Sequence, residues 1–184
     1  MRIFLDMDDV LVDFVAGALA LHGTSRRELG DRWELGTWDL SKILGITPEQ
    51  FWEPIIAQGS TWWAGLQPLC WMDTLLELVV DLQGDWHILS DPGRAGPSAV
   101  VGKTSWLKNH RRLKNLEDRL ICTPHKHLFA KSGAVLIDDR EEVVTKFTKE
   151  GGYGLLFPTR GNYLYPYRYD PVGYIVKQLK SLKE

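Results

Sequence analysis

Four short apolar runs, each halted by polar residues, constrain the fold of this chain more than any other feature. Ile3-Phe4-Leu5 stops at Asp6. Trp86-His87-Ile88-Leu89 stops at Ser90-Asp91, and Arg119-Leu120-Ile121-Cys122 stops at Thr123-Pro124. Ala134-Val135-Leu136-Ile137 stops at Asp138-Asp139. Runs of this length and composition read as buried strands, and Tyr153 to Phe157 makes a fifth. Helical stretches lie between them: Val10 to His22, Trp71 to Gln83, about Ser98 to Arg112, and Arg140 to Glu150. A terminal helix starts at Pro171, with Asp170 as its N-cap. Short strands alternating with helices indicate an α/β fold: a three-layer, doubly wound parallel sheet covered on both faces. In such sheets ligands bind beyond the carboxyl ends of the strands. Asp6, Asp8, Ser90, the Thr123 to Lys126 region and the Asp138-Asp139 pair are therefore expected to converge on one rim.

Residues 14–68 interrupt this alternation and read as a small helical cap inserted after the first strand. The core domain is then 1–13 with 69–184. Ser25 to Leu29 is a short helical piece. Thr47-Pro48-Glu49-Gln50 is a helix start, with an N-cap Thr, Pro at the first helical position and Gln three residues after the cap. That helix is expected to reach Gln58 and stop at Gly59, so that Ser60 to Pro68 forms a loop. Five of the eight tryptophans (Trp33, Trp38, Trp52, Trp62, Trp63) fall in the insertion, which gives it an apolar surface of its own, and Trp33, Trp38 and Trp52 read as its own small core.

Composition narrows the function classes. A net charge of -2 leaves no global basic field for a nucleic acid polymer. No apolar run approaches membrane-spanning length, and the opening residues read as strand rather than as a targeting segment. Cys70 and Cys122 are the only cysteines. Two such distant residues read as reduced, buried thiols and cannot make a zinc site alone. A cytoplasmic location is the expectation.

The strand ends carry the chemistry. A buried strand ending in Asp6-Met7-Asp8 concentrates negative charge that needs a cation, for which Mg²⁺ is the ordinary partner. A carboxylate can attack phosphorus, and a second can protonate the leaving alcohol and then activate water. The bland alternative is a set of turn and capping aspartates. Ser90, with the N–H groups that follow it, can cradle phosphate oxygens, or can simply form a Ser-Asp-Pro turn. Asp138-Asp139 suits a divalent metal, with Asp139 as the N-cap of the next helix as the alternative. Lys126, Lys131 and Lys103 are the candidate phosphate cations, with Lys126 favoured by its place just past the third strand. His125 and His127 read as loop residues.

Taken together, DMDDVLVDF (Asp6 to Phe14), ILSDP (Ile88 to Pro92), TPHKH (Thr123 to His127) and LIDDR (Leu136 to Arg140) resemble the haloacid dehalogenase superfamily. DMDxVLxDF with LIDDR resembles its 5'(3')-deoxyribonucleotidase family in particular. The resemblance covers essentially the whole chain. It implies dephosphorylation of nucleoside 5'-monophosphates, typically deoxypyrimidine ones, through an aspartyl phosphate. On it, Asp6 is the nucleophile and Asp8 the general acid/base. Ser90, the adjoining Asp91 and Lys126 hold the phosphoryl group. Asp6, the Asp8 carbonyl, Asp138 and Asp139 hold Mg²⁺. Phe14, and with it Trp62 and Trp63, border the base, and Lys103 matches a family position near the substrate. Three departures stand out. Asp9 replaces a usual Gly, Asp91 a usual hydroxyl residue, and the Lys126–Asp138 spacing is longer than the family's. The implied partner is a small nucleotide, with a homodimer left open. The rival readings are a superfamily phosphatase acting on another small phosphate ester, and a non-catalytic nucleotide-binding domain.

Overall fold

The computed structural model describes residues 1–82, 84–110 and 115–182. Five strands form one sheet: β1 (Arg2–Leu5), β2 (Asp85–Ser90), β3 (Leu120–Cys122), β4 (Ala134–Asp138) and β5 (Tyr153–Leu156). Their order is β3-β2-β1-β4-β5 and every pairing is parallel. β1 is central, with Leu5 opposite Ile88 on one side and Ile137 on the other. The chain runs to one side of β1 for β2 and β3 and to the other for β4 and β5. A crevice therefore opens at the tip of β1, the place where such sheets bind ligands.

Strand alternation divides the core. Ile3 and Leu5 join the large apolar cluster on one face, while Phe4 joins Leu89, Leu136 and Phe147 on the other. Each fully buried side chain of this kind contributes roughly 1.5–3 kcal/mol. The helices are α1 (Phe14–Leu21), α2 (Arg26–Leu29), α3 (Leu40–Leu44), α4 (Pro48–Ala64), α5 (Met72–Asp81), α6 (Pro97–Lys108), α7 (Glu141–Lys149) and α8 (Pro171–Ser181).

Several local expectations need correction. The first helix begins at Phe14, not Val10, because Asp9 takes a left-handed conformation (φ 55°) and the chain turns before Asp13 caps α1. The Leu11 N–H to Met7 carbonyl and Val12 N–H to Met7 carbonyl bonds close that turn. The Thr47 helix is interrupted at Gly59 as expected, but a second helical stretch follows where a loop was expected. Gly59 adopts φ 62° and ψ -153°, a conformation open to glycine, and the helix resumes to Ala64. Trp62 and Trp63 thus stand on a helix and not in a loop. The Thr47–Gln50 capping box is present. Cys70 is exposed and Cys122 half-buried, so the two are not the buried pair expected. Trp38 is 51% exposed and outside the insertion's core, whereas Trp33 is buried. The expected ends of two helices, at Gln83 and Arg112, lie outside the described residues. Among the described residues no helix is long and apolar enough to cross a membrane.

Candidate active site

The tip of β1 is a turn built from carboxylates. The Asp6 N–H still joins the sheet, donating to Ile137 O at 2.8 Å, and the chain then leaves it. Asp6 Oδ1 accepts from its neighbour's Met7 N–H at 2.7 Å and from Lys126 Nζ at 2.7 Å. Oδ2 is outside both interactions and is the oxygen free to act on a ligand. Asp8, two residues on, is held by a different lysine: Lys103 Nζ donates to its Oδ2 at 2.6 Å. Asp8 Oδ1 is buried without a hydrogen-bond partner among the described residues.

β4 supplies the facing acidic pair. Asp138 is fully buried; its Oδ2 accepts from Lys126 Nζ at 2.7 Å and its Oδ1 from the Arg140 N–H at 3.0 Å. The residue at the N-cap of α7 is Arg140, and Asp138 rather than Asp139 satisfies backbone there. Asp139 is consequently not spent on capping. Asp6, Asp138 and Asp139 each offer an oxygen within 4.8 Å of the others'.

Loss of hydration pushes the Asp138 carboxyl up to about 6, against the pull of Lys126. It pushes Asp139 well above the usual carboxylate range, with Asp9 and Asp138 adding repulsion. Asp8 is raised too, because its loss of hydration outweighs Lys103. Burial of Lys126 opposes its charge, yet Asp138 and Asp6 prevail and hold its pKa above the ordinary lysine value. Several carboxylates and one bridging ammonium thus share a poorly hydrated rim, a hard-oxygen set that fits a divalent cation.

β2 and β3 complete the rim. Ser90 is fully buried at the end of β2, beside Cys122 in the sheet, with its Oγ accepting from Lys103 Nζ at 2.7 Å. Asp91 carries its side chain to the Gly93 N–H (2.8 Å) in a turn, while its carbonyl accepts from Lys103 at 2.9 Å. Lys131 is exposed and away from the rim; of the three candidate lysines, Lys126 and Lys103 reach it.

Above the rim lies a cavity of about 790 Å³. Asp6, Asp8, Lys126 and Asp139 line it, and Phe14, Phe51, Trp52, Trp63 and Trp71 form aromatic walls. Phe14 stacks on Trp63 at 5.7 Å and 30° and tilts against Trp52 at 6.0 Å. Trp62 is not a wall residue; it packs edge-on against Phe14 and Trp63 from behind. Trp52, assigned from sequence to the insertion's own core, is a wall residue. Its place follows from Gly93, whose turn brings that backbone under the indole. Lys103 is outside the cavity lining and reaches the rim through Asp8, Ser90 and the Asp91 carbonyl. One signal was available in the sequence for Phe51 and Trp52, their place on the helix that the capping box starts; nothing local marks the partners of Lys103.

A parallel sheet whose switch point carries two lysine-held aspartates is the frame of an α/β phosphohydrolase. The model of the family described as "5' nucleotidase, deoxy (Pyrimidine), cytosolic type C protein" matches residues 1–165, and the chain belongs to that family of haloacid dehalogenase-like deoxynucleotidases. It is accordingly a hydrolase of the 5'-nucleotidase type. No curated protein matches the chain. Solved structures of similar shape include a haloacid dehalogenase (HAD) family enzyme from Bacteroides thetaiotaomicron in complex with magnesium and inorganic phosphate. It is 18% identical with a TM-score of 0.47, over 91% of this chain and 98% of that one. Another is a HAD family hydrolase from Deinococcus radiodurans R1 with bound phosphate and sodium. It is 14% identical with a TM-score of 0.47, over 86% of this chain and 82% of that one.

Proposed function

We propose that the protein is a Mg²⁺-dependent phosphomonoesterase that dephosphorylates nucleoside and deoxynucleoside 5'-monophosphates, with Asp6 as nucleophile. The observation that carries this reading is the division of labour at the β1 tip. Lys126 holds one Asp6 oxygen and leaves the other free, within a cavity walled by aromatic rings.

In the first half-reaction Asp6 Oδ2 attacks phosphorus in line, the P–O ester bond breaks, and the Asp8 carboxyl gives its proton to the departing nucleoside oxygen. In the second half-reaction the Asp8 carboxylate takes a proton from water. The water oxygen attacks the same phosphorus, and the bond to Asp6 breaks. Inorganic phosphate leaves and Asp6 is restored. Among the described residues Lys126 donates two of its three hydrogens to protein acceptors, Asp6 and Asp138, so one remains for a phosphoryl oxygen. Ser90, whose Oγ accepts from Lys103 and keeps its own hydrogen to donate, would bind a phosphoryl oxygen at the end of β2. Asp6, the Asp8 carbonyl, Asp138 and Asp139 would hold Mg²⁺, which supplies Lewis-acid neutralisation of the phosphoryl charge.

Residues 14–68 act in this reading as a cap that selects the leaving group. Phe14 and Trp52 offer flat surfaces to a base, with Trp63 backing Phe14, and stacking of this kind contributes about 1–3 kcal/mol while tolerating several bases. A cytoplasmic setting accords with the family's description as cytosolic type. The test is a panel of phosphate esters assayed with MgCl₂. dUMP and dTMP should be turned over with higher kcat/KM than sugar phosphates, and Asp6→Asn should abolish turnover while leaving the fold intact. Preference for a sugar phosphate would overturn the nucleotide assignment, and undiminished hydrolysis by Asp6→Asn would overturn the mechanism.

A further inference from the structure

We propose that Lys103 is the positioning residue of the proton-transfer step: it fixes the Asp8 carboxylate for acid and base work without touching substrate. The inference rests on the reading of Asp8 as general acid/base given above.

Lys103 is fully buried on α6, in a place where a lysine must be paired. An ammonium has three hydrogens to donate. Here all three are used: on Asp8 Oδ2 at 2.6 Å, Ser90 Oγ at 2.7 Å and the Asp91 carbonyl at 2.9 Å. None remains for a phosphate or a base, and the side chain lines no part of the cavity. The fourth side of the ammonium is closed by the Trp63 ring, 4.8 Å away, which keeps water off it. Lys126, by contrast, lines the cavity and keeps one hydrogen uncommitted.

The grip on Asp8 is one-sided. Oδ2 is fixed by a charge-assisted bond, and Oδ1 is the one buried carboxylate oxygen without a partner among the described residues. Lys103 therefore leaves Oδ1 as the Asp8 oxygen that carries the proton, and ties Oδ2 to the Ser90 side of the rim. Its own seat depends on Gly102. A Cβ there would fall 2.4 Å from Ser60 O and 2.4 Å from Trp63 Cβ, so only glycine lets α6 lie close enough to α4 for Trp63 to cover the neighbouring lysine.

A positioning role has a kinetic signature that a phosphate-binding or purely structural role lacks. Leaving groups differ in their need for a proton. A nucleoside alkoxide needs one; p-nitrophenolate leaves without. In Lys103→Met, kcat on dUMP should fall by about 100-fold or more, the usual scale of one acid–base group, with KM within threefold of wild type. With p-nitrophenyl phosphate, phosphorylation of Asp6 should stay near the wild-type rate while dephosphorylation slows. Rapid mixing should then show a burst of nitrophenolate of about one equivalent per enzyme, followed by slow turnover. Lys103→Gln, which keeps a neutral donor, should show the same pattern in smaller degree and serves if the Met variant unfolds by circular dichroism. Equal loss on both esters with no burst, or a rise in KM with kcat unchanged, overturns the inference while the phosphatase reading stands. A wild-type protein that hydrolyses neither ester overturns both.

Discussion

Lys126 joins Asp6 to Asp138 across two strands, with its Nζ 2.7 Å from a carboxylate oxygen of each. β1 and β4 are neighbours in the sheet, so this one ammonium neutralises charge at both strand tips. Removing one member of such a buried group leaves the others unpaired, at a cost of about 3–5 kcal/mol. Lys126→Met should therefore lower the free energy of unfolding by that order in metal-free buffer and abolish hydrolysis. Lys131→Met, on the exposed surface five residues away, should stay within about 0.5 kcal/mol of wild type. Urea denaturation of the two variants checks the contrast, and similar midpoints would refute it.

A cation at the acidic cluster should stabilise the fold. Asp6, Asp138 and Asp139 crowd their oxygens within 4.8 Å, and only the folded chain brings them together. A ligand that binds the native state alone stabilises it by mass action, about 2.7 kcal/mol at a hundredfold excess over Kd. MgCl₂ should raise the melting temperature and EDTA should reverse the rise. Asp139→Asn should act in opposite senses: stabilised without metal, because the cost of burying an ionisable carboxyl beside Asp9 and Asp138 is gone, and less responsive to Mg²⁺. An Asp139→Asn protein that melts below wild type in EDTA would count against this account.

The aromatic walls make a sharper distinction between two tryptophans than sequence allows. Trp52 lines the cavity and Trp62 does not. Losing a stacking surface worth about 1–3 kcal/mol corresponds to a 5- to 150-fold change in binding. Trp52→Ala should raise KM for dTMP by that range. Trp62→Ala should leave KM within threefold and act mainly on stability, since its ring supports Phe14 and Trp63 from behind. Steady-state kinetics and thermal melts on both variants provide the comparison.

The strand tips were legible because an apolar run gives way to a polar residue in a single step there: Leu5 to Asp6, Leu89 to Ser90 and Ile137 to Asp138. A parallel sheet then forces these tips to one rim, so Asp6, Asp8, Ser90, Lys126 and Asp138 could be placed together before their distances were known. The insertion was harder to read. Gly59 does interrupt the helix, yet residues 60–64 form a second helical stretch packed on α6 instead of a loop, and Trp62 stands outside the cavity lining. Lys103 was placed near the substrate because a lone lysine gives no sign of its partners. Its role depends on Gly102 letting two helices touch, a long-range contact with no local signature. The apolar run Val10-Leu11-Val12 reads as helix, but its residues are buried in a turn that Asp9 initiates.

Asp9 supplies a prediction with a pH axis. It holds a left-handed backbone (φ 55°), which Asp and Asn tolerate better than most residues, and its Oδ1 accepts from the Val15 N–H at 3.1 Å. Loss of hydration is the main cause that pushes its carboxyl up to about 8; the Val15 N–H and Arg26 oppose the shift. A carboxyl raised above its unfolded value of 3.8 contributes stability that is whole below that value and is lost as pH climbs toward about 8. Asp9→Asn keeps the backbone conformation and the acceptor while removing the ionisable proton. In EDTA the variant and wild type should melt within a few degrees of each other near pH 4. The variant should then become progressively the more stable between pH 5 and 8. Melting temperatures taken across that range decide the matter. A constant difference, or one that shrinks with rising pH, would show that Asp9 is already ionised and accommodated in the folded protein.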